Sequence, residues 1–270
     1  ICSVVRVAAC QVPIDIDDAE KTRRVVFESV REAARLGASL VVLPELAMCG
    51  SIFADATESA SRAEPADGSS VRFFAELSDA FDLVLVAGFC EVSGLDKPYN
   101  SAVVVDHGRV LAIYRKTHLW DFEHELFTPG DVLPPVVATS VGAVAPLICY
   151  DLAFPEVLRS VSLRGAQLIA SPANWPDSDS PATRPPEVSK AMAGAAINRV
   201  VVVVADRVGE ERGRRWVGGS VVCDHEGYRV AGPDFGIETV LVADADLEAT
   251  LDKSISGRNH VFADRRTDLY

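Results

Sequence analysis

Ala145-Pro-Leu-Ile-Cys-Tyr-Asp151, continuing as Leu152-Ala-Phe-Pro-Glu156, is the stretch around which the chain is organised. The apolar run reads as a strand that stops at Cys149, and the residues after it read as a helix. Phe154, Val157, Leu158 and Val161 recur at helical spacing, and Pro155 suits a first helical turn. A thiol at such a junction sits beside unpaired backbone N–H groups and the positive end of a helix. Both features lower a cysteine's pKa and can hold a developing oxyanion. A free cysteine in an apolar run is equally a buried structural residue, so the surrounding chain has to decide between the two.

Working outward from Cys149, two other strands end in charge. Ser39-Leu-Val-Val-Leu43 is a buried strand stopped by Pro44-Glu45, and Val110–Tyr114 is a strand running into Arg115-Lys-Thr-His-Leu-Trp120. A carboxylate at the tip of an apolar strand is costly to bury without a partner or a task. Glu45, Lys116 and Cys149 therefore stand at three strand exits, where the active sites of α/β folds collect. Together they suffice for amide hydrolysis: a thiol as nucleophile, a carboxylate to take and return its proton, an ammonium to meet charge growing on oxygen.

The rest of the pattern is alternating. Val4–Cys10 is a first strand, and Asp17 and Asp18 cap a helix to about Leu36 with Gly37 beyond it. Ser69 to about Phe81 is a second helix, with the serines as caps, followed by a strand over Leu83–Phe89. Tyr99–Val105 and Val110–Tyr114 flank the hairpin signal Asp106-His-Gly-Arg109, and 121–130 reads as a loop carrying Glu123 and Glu125. Beyond Cys149 come a strand over Ala166–Ser171, a Pro-rich loop at 176–186, a small-residue helix over Val188–Asn198 and a strand over Val200–Ala205. A hairpin around His225-Glu-Gly227, a strand over Glu238–Val242 and an irregular tail from Leu251 complete the chain. Two βα blocks with hairpins between them predict a four-layer α/β/β/α sandwich. No linker-like segment interrupts it, so residues 1–270 read as one domain.

Composition excludes several classes. Among 270 residues, 49% are hydrophobic and 24% charged, and the net charge of −13 argues against nucleic-acid or anionic-membrane partners, which need a basic face. Arg212, Arg214 and Arg215, the only tight basic cluster, read as a solvated loop. The six cysteines contain no C-x-x-C pair, which favours reduced thiols in a cytoplasmic protein over a disulfide framework or a zinc site. No signal-peptide layout or membrane-span-length apolar run is present.

Leu43-Pro-Glu45, Tyr114-Arg-Lys-Thr-His118 and Ile148-Cys-Tyr-Asp-Leu-Ala-Phe-Pro-Glu156 resemble, in this order and spacing, the signature blocks of the nitrilase superfamily of carbon–nitrogen hydrolases. Phe127-Thr-Pro-Gly-Asp131, Ser171-Pro-Ala-Asn-Trp-Pro176, Asn198-Arg199, Gly218-Gly-Ser220 and Asp264-Arg-Arg266 extend the resemblance from Val4 to Tyr270. The resemblance implies Glu45 as general base and acid, Lys116 as the cation on the oxyanion side and Cys149 as nucleophile. It also implies the Tyr150 N–H as second oxyanion donor and Asn174 and Trp175 as substrate-binding residues. A second glutamate best matches Glu123, with Glu125 as its rival. No metal or organic cofactor is implied. A homodimer or higher homo-oligomer is, through the helical face after the cysteine and the tail 251–270.

Tyr150-Asp151, where true nitrilases of this superfamily carry Trp-Glu, points to an amide rather than a nitrile. Ala153 stands where many relatives, N-carbamoyl-amino-acid hydrolases among them, hold an arginine. Its place here suggests a neutral acyl group, with Trp175, Trp120 and Phe53 as pocket walls. Ser51 replaces a frequent tyrosine near Glu45. Competing readings are a papain-like pairing of Cys149 with His118, His124 or His225, a zinc hydrolase around His124-Glu125, a serine amidase at Gly68-Ser-Ser70, and a silent scaffold of the same fold. The first three lack the sequence surroundings their chemistry needs. The last is disfavoured by the presence of all three reactive side chains.

Overall fold

In the computed structural model, which describes residues 4–177 and 186–270, two six-stranded sheets lie face to face with helices on their outer sides. The elements run β1 (Val4–Gln11), α1 (Ala19–Arg35), β2 (Leu40–Val42), α2 (Ala56–Ser61), α3 (Ser69–Ala80), β3 (Val84–Glu91), β4 (Tyr99–Asp106), β5 (Arg109–Arg115) and α4 (Glu123–Leu126). They continue with β6 (Val137–Thr139), β7 (Gly142–Pro146), α5 (Pro155–Leu163), β8 (Leu168–Ala173), α6 (Pro186–Asn198), β9 (Val201–Asp206), β10 (Val208–Glu211) and β11 (Arg214–Val217). The last are β12 (Val221–Cys223), β13 (Arg229–Ala231), β14 (Thr239–Asp246) and the short pair β15 (Ser254–Ser256) and β16 (Asn259–His260). The first sheet is ordered β14-β1-β2-β3-β4-β5 and the second β13-β12-β9-β8-β7-β6.

Each sheet has three parallel strands at its centre, β1-β2-β3 and β7-β8-β9, with antiparallel strands at the edges. Those central strands are largely apolar because both faces are covered. The period-two alternation sorts their residues between two cores. Val7, Ala9, Leu40, Val42, Val84 and Val86 face the other sheet and meet Val144, Leu168, Ala170, Val201 and Val203. Ala8, Cys10, Val41 and Leu43 turn outward onto Val26, Val30 and Ala33 of α1 and Phe74 and Leu77 of α3. The second sheet does the same against Val157, Leu158 and Val161 of α5 and Ala191 and Ala195 of α6. This is the four-layer α/β/β/α arrangement the sequence predicts.

Local signals explain most element ends. Asp18 caps α1 by accepting from the Lys21 N–H at 2.9 Å, and Gly37 follows its end at φ +85°. His107 and Gly108, both at positive φ, turn the β4–β5 hairpin. Three expectations need correction. The serines do not cap α3: its cap is Gly68, and the Glu64 carboxylate accepts from the Ser70 N–H and hydroxyl at 2.7 Å each. The segment 121–130 is not all loop, since Glu123–Leu126 forms a helical turn. Arg212, Arg214 and Arg215 do not lie in a free loop: Arg212 and Gly213 turn the β10–β11 hairpin, and Arg212 pairs with Glu58 at 2.7 Å and Asp17 at 3.0 Å. Residues 1–3, with Cys2, and most of the Pro-rich segment lie outside the described residues. Among the described residues, no helix is long and apolar enough to cross a membrane.

Candidate active site

Glu45 leaves β2 on a turn that presses against β3. Leu46 has φ +50°, and the Ala47 N–H donates to the Gly88 carbonyl at 3.0 Å. A Cβ on Gly88 would lie 2.5 Å from the Leu46 nitrogen and 2.7 Å from the Glu45 Cα, so only glycine lets the turn come this close. Lys116 extends β5, its N–H donating to the Asn100 carbonyl at 2.8 Å. Cys149 follows β7 at φ +49° and opens a short 3-10 turn that leads into α5. A non-glycine residue in the left-handed region is strained, by about 1–3 kcal/mol, and such strain gathers at functional sites.

Four side chains from the first sheet and its exits converge. The Lys116 ammonium, only 1% exposed, donates to Glu45 Oε1 at 2.7 Å and to Glu123 Oε1 and Oε2 at 2.8 and 2.7 Å. Asn100 on β4 ties the same carboxylates together, its Nδ2 donating to Glu45 Oε1 at 2.7 Å and Glu123 Oε1 at 3.0 Å. The Trp120 N–H donates to Glu123 Oε2 at 2.7 Å. Geometry thus separates the two candidate glutamates: Glu123 is on Lys116, and Glu125 is exposed. Among the described residues, the hydrogen bonds to Glu45 all reach Oε1, which leaves Oε2 open to the cavity.

The electrostatics follow from crowding charges in a dry place. Burial alone would lower the Lys116 pKa, but Glu123 and Glu45 outweigh it and hold the ammonium well above its usual range. Burial raises Glu123 to about 7, Lys116 opposing and Glu45 reinforcing the shift. The thiol of Cys149 does not follow expectation. Burial, then the Glu45 charge, push its pKa well above the ordinary value, and Lys116 only partly offsets them. The lowering expected from the helix end is overridden by desolvation and two nearby carboxylates. Burial therefore favours the thiol over the thiolate, and its Sγ points to the Asn174 carbonyl at 3.9 Å.

Glu45, Lys116, Glu123 and Cys149 line one cavity of about 590 Å³. Tyr150, Ala153, Asn174, Trp175 and Trp120 line it too. Asn174 is 7% exposed, and neither polar atom of its amide has a partner among the described residues. Phe53 is a correction: it is buried away from the cavity, edge-on to Phe127 with ring centroids 6.0 Å apart. His118 does not serve Cys149 either, since its ring nitrogen meets Asp151 at 2.8 Å. No group of acids, cysteines and histidines with metal-binding geometry occurs among the described residues.

Sequence reasoning missed Asn100, Trp216 and Ile52, and read Ser51 only as a replacement near Glu45. Asn100 was signalled only by a polar residue inside an apolar strand. Trp216, on the β10–β11 hairpin, forms a wall and brings Arg214 and Arg215 to the mouth, where Lys190 also lies. Ser51 and Ile52 form another wall, held by the buried pair Arg207–Glu211.

The carbon-nitrogen hydrolase family model matches residues 6–252. A protein named nitrilase from Pyrococcus abyssi is 35% identical over 99% of both chains. Human deaminated glutathione amidase is 31% identical over 100% of this chain and 84% of its own. Among solved structures, a cysteine-to-alanine variant of an amidase of the nitrilase superfamily from Nesterenkonia superposes with a TM-score of 0.81 at 25% identity, covering 100% of this chain and 97% of that one. A variant of that amidase, with a TM-score of 0.80 at 25% identity over 98% and 95% of the chains, carries the acetamide moiety of fluoroacetamide added covalently at the active-site cysteine.

Proposed function

The chain belongs to the carbon–nitrogen hydrolase family of the nitrilase superfamily, and from that premise we propose that it is an amidase. In this reading it cleaves a carboxamide to carboxylic acid and ammonia through a thioester on Cys149. One observation carries the reading: Lys116 is hydrogen-bonded to both Glu45 and Glu123 in the cavity that Cys149 also lines.

The cycle uses these groups in turn. Because burial favours the thiol over the thiolate, its proton leaves as attack begins, to the open Oε2 of Glu45. Sulfur bonds to the amide carbon, and the charge on oxygen is met by Lys116 and the Tyr150 N–H. The C–N bond breaks as Glu45 returns the proton to nitrogen, and ammonia departs. Glu45 then takes a proton from water, the hydroxide displaces sulfur, and the thiol is restored. Glu123 keeps Lys116 charged and aimed throughout. Asn174, with its unpartnered amide, and Trp175 hold the substrate.

Ala153 at the cavity wall favours a neutral acyl group. A second reading, an acyl group ending in a carboxylate, is favoured by Lys190, Arg214 and Arg215 at the mouth. The protein is further proposed to be a single-domain cytoplasmic enzyme that pairs with a second copy. Leu251, Ile255, Leu269 and Tyr270, all exposed in the tail, support that pairing. The test is ammonia release from neutral amides, carboxylate-bearing amides, nitriles and N-carbamoyl amino acids, with Cys149→Ala alongside. Turnover of neutral amides that Cys149→Ala abolishes is the expected result. Turnover confined to nitriles or N-carbamoyl acids overturns the amidase assignment, and activity surviving Cys149→Ala overturns the thioester.

A further inference from the structure

Lys116 and Cys149 belong to different sheets, and the reaction requires them to face one carbonyl group. Between the sheets lies mostly interdigitated valine, leucine and alanine. Such contact is strong but non-directional and does not by itself hold two reactive atoms to a fraction of an ångström. Directional bonds beside the site are needed, and one carboxylate concentrates them.

Asp151, with no exposed surface, accepts from both sides of the divide. Its Oδ2 takes the Tyr114 hydroxyl and the Ile148 N–H, each at 2.9 Å. Its Oδ1 takes the His118 ring nitrogen at 2.8 Å and the His118 N–H and Thr117 hydroxyl at 3.3 Å each. Tyr114, Thr117 and His118 bracket Lys116 on the first sheet's exit, whereas Ile148 and Asp151 bracket Cys149 on the second sheet's elbow. The His118 ring also stacks on Phe154, centroids 3.8 Å apart, and Phe154 packs edge-on to Tyr150. We infer that Asp151 is a positioning residue that straps the Lys116 strand exit to the Cys149 elbow and so sets the geometry of acylation.

A buried carboxylate is costly unless its lone pairs are met by donors. A local turn needs only the Ile148 bond; the other donors come from the other sheet. Burial and the Asp151 charge push the Tyr114 hydroxyl far above its ordinary pKa, so it remains a donor. The inference rests on the amidase reading, and its test is arranged so that the two fail separately.

Asp151→Asn keeps the shape but turns one oxygen into an NH₂ that meets donors at either end. Tyr114→Phe and Thr117→Val each remove one cross-sheet donor and leave the elbow's own bond intact. Each variant is compared with wild type in kcat and KM on the best amide, with stoichiometric alkylation of Cys149 counting competent sites. Misplacement by about 1 Å costs on the order of 10²-fold in rate. Asp151→Asn is therefore expected to lose about 10²-fold in kcat per competent site with KM within about threefold, and each single-donor variant a smaller share. Wild-type kcat per competent site in Asp151→Asn, or a loss shared equally between kcat and KM, overturns the inference. If Asp151→Asn does not fold, wild-type kcat in both Tyr114→Phe and Thr117→Val does so. Turnover that survives Cys149→Ala overturns the amidase reading instead.

Discussion

Glu211→Ala tests whether the wall of the cavity is held by a buried ion pair. The Arg207 guanidinium has no exposed surface and donates to Glu211 Oε2 and the Ile14 carbonyl at 2.7 Å each and to the Ser51 hydroxyl at 3.2 Å, over the Trp216 ring. Glu211 Oε1 accepts from the Ser51 and Ile52 N–H groups at 2.8 and 2.6 Å. Removing the carboxylate strands a buried cation and leaves two backbone donors unpaired. Breaking one side of a buried pair costs about 3–5 kcal/mol, and each stranded donor adds about 1–3 kcal/mol unless the loop relaxes toward water. Relaxation of the exposed end of the loop is expected, so about 3–5 kcal/mol is the net figure. At about 2–4 °C per kcal/mol for chains of this general size, Tm falls by about 6–20 °C.

Thermal and urea unfolding of Glu211→Ala, Arg207→Met and the double variant read the effect. Removing both charges leaves no stranded cation, so the double variant is expected to be more stable than the sum of the singles by at least about 2 kcal/mol. Because Ser51, Ile52 and Trp216 line the cavity, KM for a bulky amide is expected to rise more than KM for acetamide. A loss below about 1 kcal/mol in Glu211→Ala, or strict additivity in the double variant, refutes the reasoning.

Gly88→Ala is expected to push the Glu45 turn off β3, costing about 1–3 kcal/mol as overpacking does and lowering kcat; wild-type kcat and urea midpoint refute this. Asn100→Leu removes the donor that ties Glu45 to Glu123 and is expected to lower kcat on the order of tenfold or more, with KM little changed in steady-state assays. Asp206 accepts from the Trp175 and Gly219 N–H groups, yet burial raises its pKa to about 7 from an ordinary 3.8. Its folded-state pKa lies above the unfolded one, so its contribution to stability is complete below about pH 4 and is lost as pH rises through about 7. The stability of wild type minus that of Asp206→Asn is therefore expected to fall between pH 5 and pH 8 in urea titrations; a flat or rising difference refutes the assignment.

Much was legible along the chain because its signals are local. Hydrophobic period two against 3.6, a cap at Asp18 and a glycine after α1 are set by neighbours a few residues away, and so were the strands that end at Glu45, Lys116 and Cys149. The four layers follow from two βα blocks that must each cover a sheet. Errors fell where a distant residue overrode a local rule. The Glu64 carboxylate rather than a serine side chain meets the free N–H at the start of α3, and Arg212 is pinned at a hairpin turn by acids from the start of the chain and from α2.

The sequence by itself thus determined the fold class, the three reactive strand exits and the membership signalled by their order. Only the tertiary structure decided which glutamate sits on Lys116, that Asn100 joins Glu45 to it, that Trp216 rather than Phe53 walls the cavity, and that burial and Glu45 push the Cys149 thiol's pKa up rather than down. The physical reason is separation along the chain. The bonds from Lys116 and Asn100 to Glu45 close gaps of 71 and 55 residues, and the bond from Tyr114 to Asp151 closes one of 37. The desolvation that raises the thiol's pKa likewise comes from whatever folds over it, and neither effect leaves a periodic mark in the chain.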